Sequence, residues 1–153
     1  MGHITEEEQK IIDFIEYETQ CFMERDFEKW ADCWLHDENV SILEARPDFA
    51  EEIRGWETIS TYMKGILSEG TTELDESVKK TNFVFQIGTD MAFVRFEENG
   101  NASIRVLQKI AADWKISHVG VIYTAQWKAK GAYIHDWETR NTKLEQTGML
   151  ESD

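Results

Sequence analysis

Proline occurs once in 153 residues, at Pro47, and cysteine twice, at Cys21 and Cys33. A single proline excludes Pro-rich linkers and polyproline tracts. Two cysteines without a CxxC or a Cys/His pattern exclude a disulfide scaffold and offer no zinc spacing, so reduced structural thiols are expected. No apolar run reaches the ~18 residues needed to cross a bilayer. Residues Met1 to Glu6 lack the basic and apolar regions of a signal peptide. The expected compartment is therefore the cytoplasm, and no membrane partner is expected.

Basic residues are also scarce. Lys plus Arg number 16 against 30 Asp plus Glu, a formal charge of −14, and a field of that sign repels phosphate backbones. Nucleic acid is not an expected partner. There is no GxSxG, P-loop or GxGxxG pattern, which leaves nucleophile-elbow hydrolysis and nucleotide binding without support. His3, His36 and His135 have no partner at ligand spacing, so neither a metal nor another cofactor is expected.

What the chain does have is apolar bulk. Hydrophobic residues make up 41% and aromatics 12%, with six Trp and eight Phe, enough for one buried core in a chain of this length. Thr5 and Glu8 form a capping box ahead of Ile11, Ile12, Ile15, Thr19 and Phe22 at helical spacing, predicting a long first helix up to Arg25. Asp26 caps a second, shorter helix that carries Phe27, Trp30, Ala31 and Trp34 as an aromatic stripe. Asn39 to Glu44 reads as a short strand, followed by a loop from Arg46 to about Ile53. Gly55 opens a third helix with Trp56, Ile59, Tyr62, Met63, Ile66 and Leu67 on one face, stopped by Gly70.

Beyond Thr72 the period changes from helical to alternating. Val78–Ile87, Met91–Glu97, Ala102–Ile110 and Trp114–Thr124 read as four strands joined by short links, an antiparallel meander. Helices first and a meander after is an α+β pattern. One domain over residues 1–153 is expected, with a core from about 5 to 125 and a polar extension 126–153 holding a short helix around Asp136 to Gln146.

Three segments in this order resemble the SnoaL-like, ketosteroid isomerase-like branch of the nuclear transport factor two superfamily. They are Arg25-Asp26-Phe27-Glu28-Lys29-Trp30, Gly55-Trp56-Glu57-Thr58-Ile59, and Arg105-Val106-Leu107-Gln108-Lys109 running into Trp114-Lys115-Ile116-Ser117-His118. The resemblance implies a cystatin-like cone in which three N-terminal helices pack on a curved, mainly antiparallel sheet around an apolar pocket. It also implies homodimerisation through the outer sheet face. Function stays open on that ground, because this fold serves isomerases, cyclases, dehydratases and non-catalytic binders alike.

The isomerase branch places a Tyr on the first helix, a general-base Asp on the first strand and a second carboxylic acid deeper in the sheet. Aligned on the Asp26 corner, those positions hold Thr19, Ile42 or Leu43, and an apolar residue near Val106. Tyr17 and Glu44 lie one or two residues away, so they, together with His118, are the catalytic candidates. A carboxylate in an apolar cavity is tuned towards a base near neutrality, and His118 alternates with Trp114 and Ile116 on one apparent strand face. Candidate ligand-binding residues are Trp34, Trp56, Tyr62, Phe85, Arg95, Arg105 and His118. An inward arginine on Arg95 or Arg105 would hold a ligand carboxylate through a bidentate fork, whereas outward placement would pair it with Glu97 instead.

Three roles therefore stand open. One is binding of a small apolar molecule, carboxylate-bearing or not. Another is acid–base isomerase, cyclase or dehydratase chemistry in the same pocket. The third is a dimerisation or interaction module.

Overall fold

The computed structural model describes residues 2–46, 48–68 and 78–123. The Gly70 stop, the helix expected around Asp136 to Gln146 and the rest of the extension 126–153 lie outside the described residues.

Helix α1 spans Glu6–Met23. Thr5 Oγ1 accepts from Glu8 N at 3.1 Å and Thr5 N donates to Glu8 Oε2 at 3.0 Å, so both arms of the capping box are made. Glu6, Glu7 and Glu8 in the first turn complement the positive end of the helix dipole. The corner that follows uses a left-handed residue, Arg25, with φ 58°. Its Nη1 donates to Ile66 O at 3.2 Å and so ties the corner to the third helix. Asp26 Oδ1 then accepts from Lys29 N at 3.1 Å and caps α2, Phe27–Asp32.

Strand β1, Ser41–Ala45, lies where a short strand is expected, and it forms an antiparallel hairpin with β2, Ala50–Arg54, where the spacing predicts only a loop. The segment was illegible as a strand because β2 is almost wholly exposed and polar, with no apolar alternation. Gly55, at φ 81°, turns the chain into α3, Trp56–Ser68. Strands β3, Lys80–Ile87, β4, Met91–Glu98, β5, Asn101–Ile110, and β6, Asp113–Ile122, complete the chain.

The sheet order is β2-β1-β6-β5-β4-β3. All pairings are antiparallel except β1 with β6, so the sheet is mixed. The α+β class stands, but the expectation of three N-terminal helices needs correction. Helix α2 is only six residues long, and α3 follows the β1–β2 hairpin. The two long helices cover the inner sheet face. Ile11 and Ile15 of α1 and Ile59 of α3 are buried with Val94 and Phe96 of β4, Leu107 of β5 and Ile116 of β6. No helix among the described residues is long and apolar enough to cross a membrane.

The α1–α2 corner depends on one side-chain cap. Asp26→Ala is expected to lower stability by about 1 kcal/mol, the usual cost of a lost N-cap. Urea unfolding followed by circular dichroism would read this as a lower midpoint with an unchanged slope.

Candidate functional site

Apolar faces of α1, α3 and the sheet do not close completely on one another. They leave a cavity of about 380 Å³. Phe22 of α1, Met63 and Ile66 of α3, Ile42 of β1 and Val119 and Val121 of β6 supply most of its greasy wall, with Trp30 and Trp34 beneath. Trp30 and Trp34 pack at 5.5 Å between ring centroids, and Trp56 stacks behind them at 6.1 Å from Trp30.

Two buried charged side chains stand in this wall. Glu18, on the inward stripe of α1 between Ile15 and Phe22, is 7% exposed, and its Oε1 accepts from Trp30 Nε1 at 2.8 Å. Burial pushes its carboxyl above the ordinary range, while the Arg105 guanidinium and the Trp30 hydrogen bond pull it back. Arg105, 5% exposed, comes from β5. Its Nη1 donates to Ser103 Oγ at 2.9 Å and Ile104 O at 3.1 Å, and the guanidinium lies 5.2 Å from the Phe96 ring centroid. Arg105 Nε and Trp34 Nε1 have no hydrogen-bond acceptor among the described residues.

A second polar group sits at the partly exposed end of the cavity. Arg46 Nη2 lies 3.2 Å from Glu44 Oε2 and donates to Tyr123 Oη at 3.3 Å, with its guanidinium 4.1 Å from the Tyr123 ring centroid. Burial raises the Tyr123 hydroxyl above its ordinary value. Glu98 also lines the cavity and pairs at 3.7 Å with Lys80, whose side chain is fully buried.

The inner face of β6 is set by a bulge. Val106 pairs with His118 but Leu107 pairs with Ile116, so Ser117 is an extra residue. Its hydroxyl donates to Val106 O at 3.1 Å. Trp114 and Ile116 face inward before the bulge, Val119 and Val121 after it.

No protein-family model matches the chain, and no curated protein matches it. Solved structures do. A nuclear transport factor two-like protein of unknown function from Pseudomonas putida aligns with TM-score 0.58 and 14% identity over 79% of this chain and 89% of that one. A cystatin-like fold protein from Burkholderia xenovorans aligns with TM-score 0.56 and 19% identity over 73% and 87%. A protein from Parabacteroides distasonis, provisionally named a ketosteroid isomerase, aligns with TM-score 0.55 and 18% identity over 71% and 83%. The fold is that of the nuclear transport factor two-like proteins. At these identities the likeness shows the fold alone.

Within this nuclear transport factor two-like fold, Glu44, Trp34, Tyr62 and Arg105 line the cavity together. The other predicted residues lie elsewhere. His118 was expected to share a face with Trp114 and Ile116; the bulge at Ser117 reverses the alternation and turns it to the outer face, where Nδ1 lies 2.8 Å from Ser41 Oγ. Tyr17 is 46% exposed on the solvent side of α1, one residue off the inward stripe. Arg95 is exposed on the outer face, because Ala92, Val94 and Phe96 take the inner positions of β4. Trp56 and Phe85 are packed against the core without reaching the cavity, Trp56 stacking on His36 at 4.0 Å and Phe85 on Phe83 at 5.8 Å.

Glu18 was missed by sequence reasoning, although a signal existed. It falls seven residues after Ile11 and three after Ile15, so helical periodicity puts a carboxylate on the apolar stripe. Thr19 and Ile42, which occupy the aligned isomerase positions, do line the cavity, and neither is an acid.

The opposition of Glu18 and Arg105 can be measured. Arg105→Met is expected to raise the Glu18 titration midpoint further, since the largest influence holding it down is removed. Carboxyl-detected carbon NMR of the wild type and the variant checks this, and an unmoved midpoint would mean that the two groups do not act on one another.

Proposed function

We propose that this chain binds a small, predominantly apolar molecule in the cavity beneath α1 and α3. The observation that carries this is a space of about 380 Å³ whose wall is mostly Trp, Phe, Ile, Met and Val, with charged side chains from Glu18, Glu44, Arg46, Glu98 and Arg105 set among them. Ligand sites are of this kind: concave, mostly apolar, roughly 300 to 1,000 Å³, with few orienting groups. The provisional isomerase among the solved neighbours supports the same location by analogy only.

Binding is favoured over turnover by where the titratable groups lie. Tyr17 and His118 face away from the cavity, and Glu44 is held by Arg46. The competing isomerase, cyclase or dehydratase reading therefore rests on Glu18, the buried carboxylate with a raised pKa. We assign the protein to the cytoplasm on its thiols. Cys21 and Cys33 are free and buried, and burial pushes Cys33 to about 12, which keeps its thiol protonated and inert.

Trp30 and Trp34 report on the cavity directly. Titration with uncharged, non-fluorescent apolar probes is expected to change their emission saturably. Met63→Trp, which fills the cavity from α3, is expected to weaken binding at least tenfold with an unchanged circular dichroism spectrum. Absence of saturable binding by the wild type across such probes would remove this reading.

We further propose that two copies pair through the outer sheet face. Leu43, Val84, Met91, Phe93 and Ile122 are 37% to 52% exposed there, large apolar side chains of the kind that a partner surface covers. Light scattering is expected to give twice the chain mass at micromolar concentration, and Phe93→Lys to shift it towards the monomer. A wild-type monomer under those conditions would overturn the pairing.

A further inference from the structure

Every cation around the cavity already has a carboxylate near it. Glu44 pairs with Arg46 at 3.2 Å, Glu98 with Lys80 at 3.7 Å, and Glu18 opposes Arg105 across the wall. Lys80 is shared with Glu16 at 3.6 Å, so it is no spare cation. Four carboxylates, Glu16, Glu18, Glu44 and Glu98, thus meet three cations, Arg46, Lys80 and Arg105. Arg95, the other arginine expected to receive a ligand carboxylate, is on the opposite face of the sheet. A carboxylate entering as an anion would meet no unbalanced positive charge, and an unpaired charge is costly in such a site.

Building on the binding role above, we propose that the cavity takes its ligand without net charge: as an apolar alcohol or ketone, or as a carboxylate together with one proton that Glu18 accepts. In the first case a ligand oxygen serves the donor-rich wall around Arg105 and Trp34, where two N–H groups lack acceptors among the described residues. In the second, a protonated Glu18 leaves Arg105 free to pair with the ligand carboxylate, and the total charge is unchanged. Glu18 is suited to hold the proton, since burial already favours its neutral form. The groups that face it are Arg105 from β5, Trp30 from α2, Glu98 from β4 and Lys80 from β3, with the Cys21 thiol on its own helix and the Cys33 thiol after α2.

The sign follows from linkage. Proton uptake makes carboxylate binding weaken as pH rises above the titration of Glu18, by about tenfold per pH unit, and level off below it, where Glu18 already carries the proton. Alcohol binding takes up no proton and stays flat. The probes are cyclohexylbutanol and cyclohexylbutanoate, which share a carbon skeleton, titrated against the full chain from roughly pH 6 to pH 8, above the probe acid's own titration. Calorimetry of the wild type in two buffers of different ionisation enthalpy is expected to show one proton taken up per carboxylate and none per alcohol.

Glu18→Gln is expected to abolish the slope and to tighten the carboxylate at least tenfold relative to the alcohol at the upper end of the range. Equal, pH-independent binding of both probes by the wild type would overturn this inference and leave the apolar-pocket reading standing. A slope that persists in Glu18→Gln would overturn the role of Glu18. Failure of both probes to bind the wild type would overturn the pocket reading and this inference with it.

Discussion

A carboxylate on the apolar stripe of a buried helix must be compensated or protonated, and the placement of Glu18 imposes that condition on everything around it. Trp30 supplies a hydrogen bond at 2.8 Å and Arg105 an opposing charge. Arg105 in turn needs Ser103 and the Ile104 carbonyl to receive its protons and the Phe96 ring to pack against. No direct ion pair joins Glu18 and Arg105; the guanidinium acts on the carboxyl only through its charge, and each group makes its hydrogen bonds with other residues. Helix α1, helix α2 and strands β4 and β5 are thus tied to one another through a polar contact set within an otherwise apolar interior.

The same set explains why the cavity persists. Charged side chains with fixed partners do not collapse into free space as a leucine would, and the Trp30 and Trp34 rings, backed by Trp56, set a rigid floor. The opposite wall depends on Ser117. Its extra residue in β6 sends Val119 and Val121 inward beside Ile42, and sends His118 to the outer face. The apolar lining and the outward histidine are two results of one bulge.

Much of the architecture is legible from residues. Thr5 and Glu8 announce the start of α1, and Asp26 the start of α2. Alternation along residues 91–97 and 102–110 places β4 and β5 within a residue of where they lie. Strand β2 is not legible, since an exposed edge strand carries no alternation, and its hydrogen bonds to β1 are what make it a strand. The site was half legible. Trp34, Tyr62, Glu44 and Arg105 line one cavity, while Tyr17 and His118 lie off it through one-residue shifts of phase, to which periodic patterns are least tolerant.

The sequence by itself determined the helix caps, the apolar stripes, the number of meander strands and the balance of charge, because each depends on neighbours within a few positions. Only the tertiary structure decided which side of β6 faces the cavity and that Glu18 stands opposite Arg105. A bulge changes the phase of a strand without changing its composition. The opposite charge that acts on Glu18 comes from Arg105, on an element far along the chain, and no local spacing encodes that proximity.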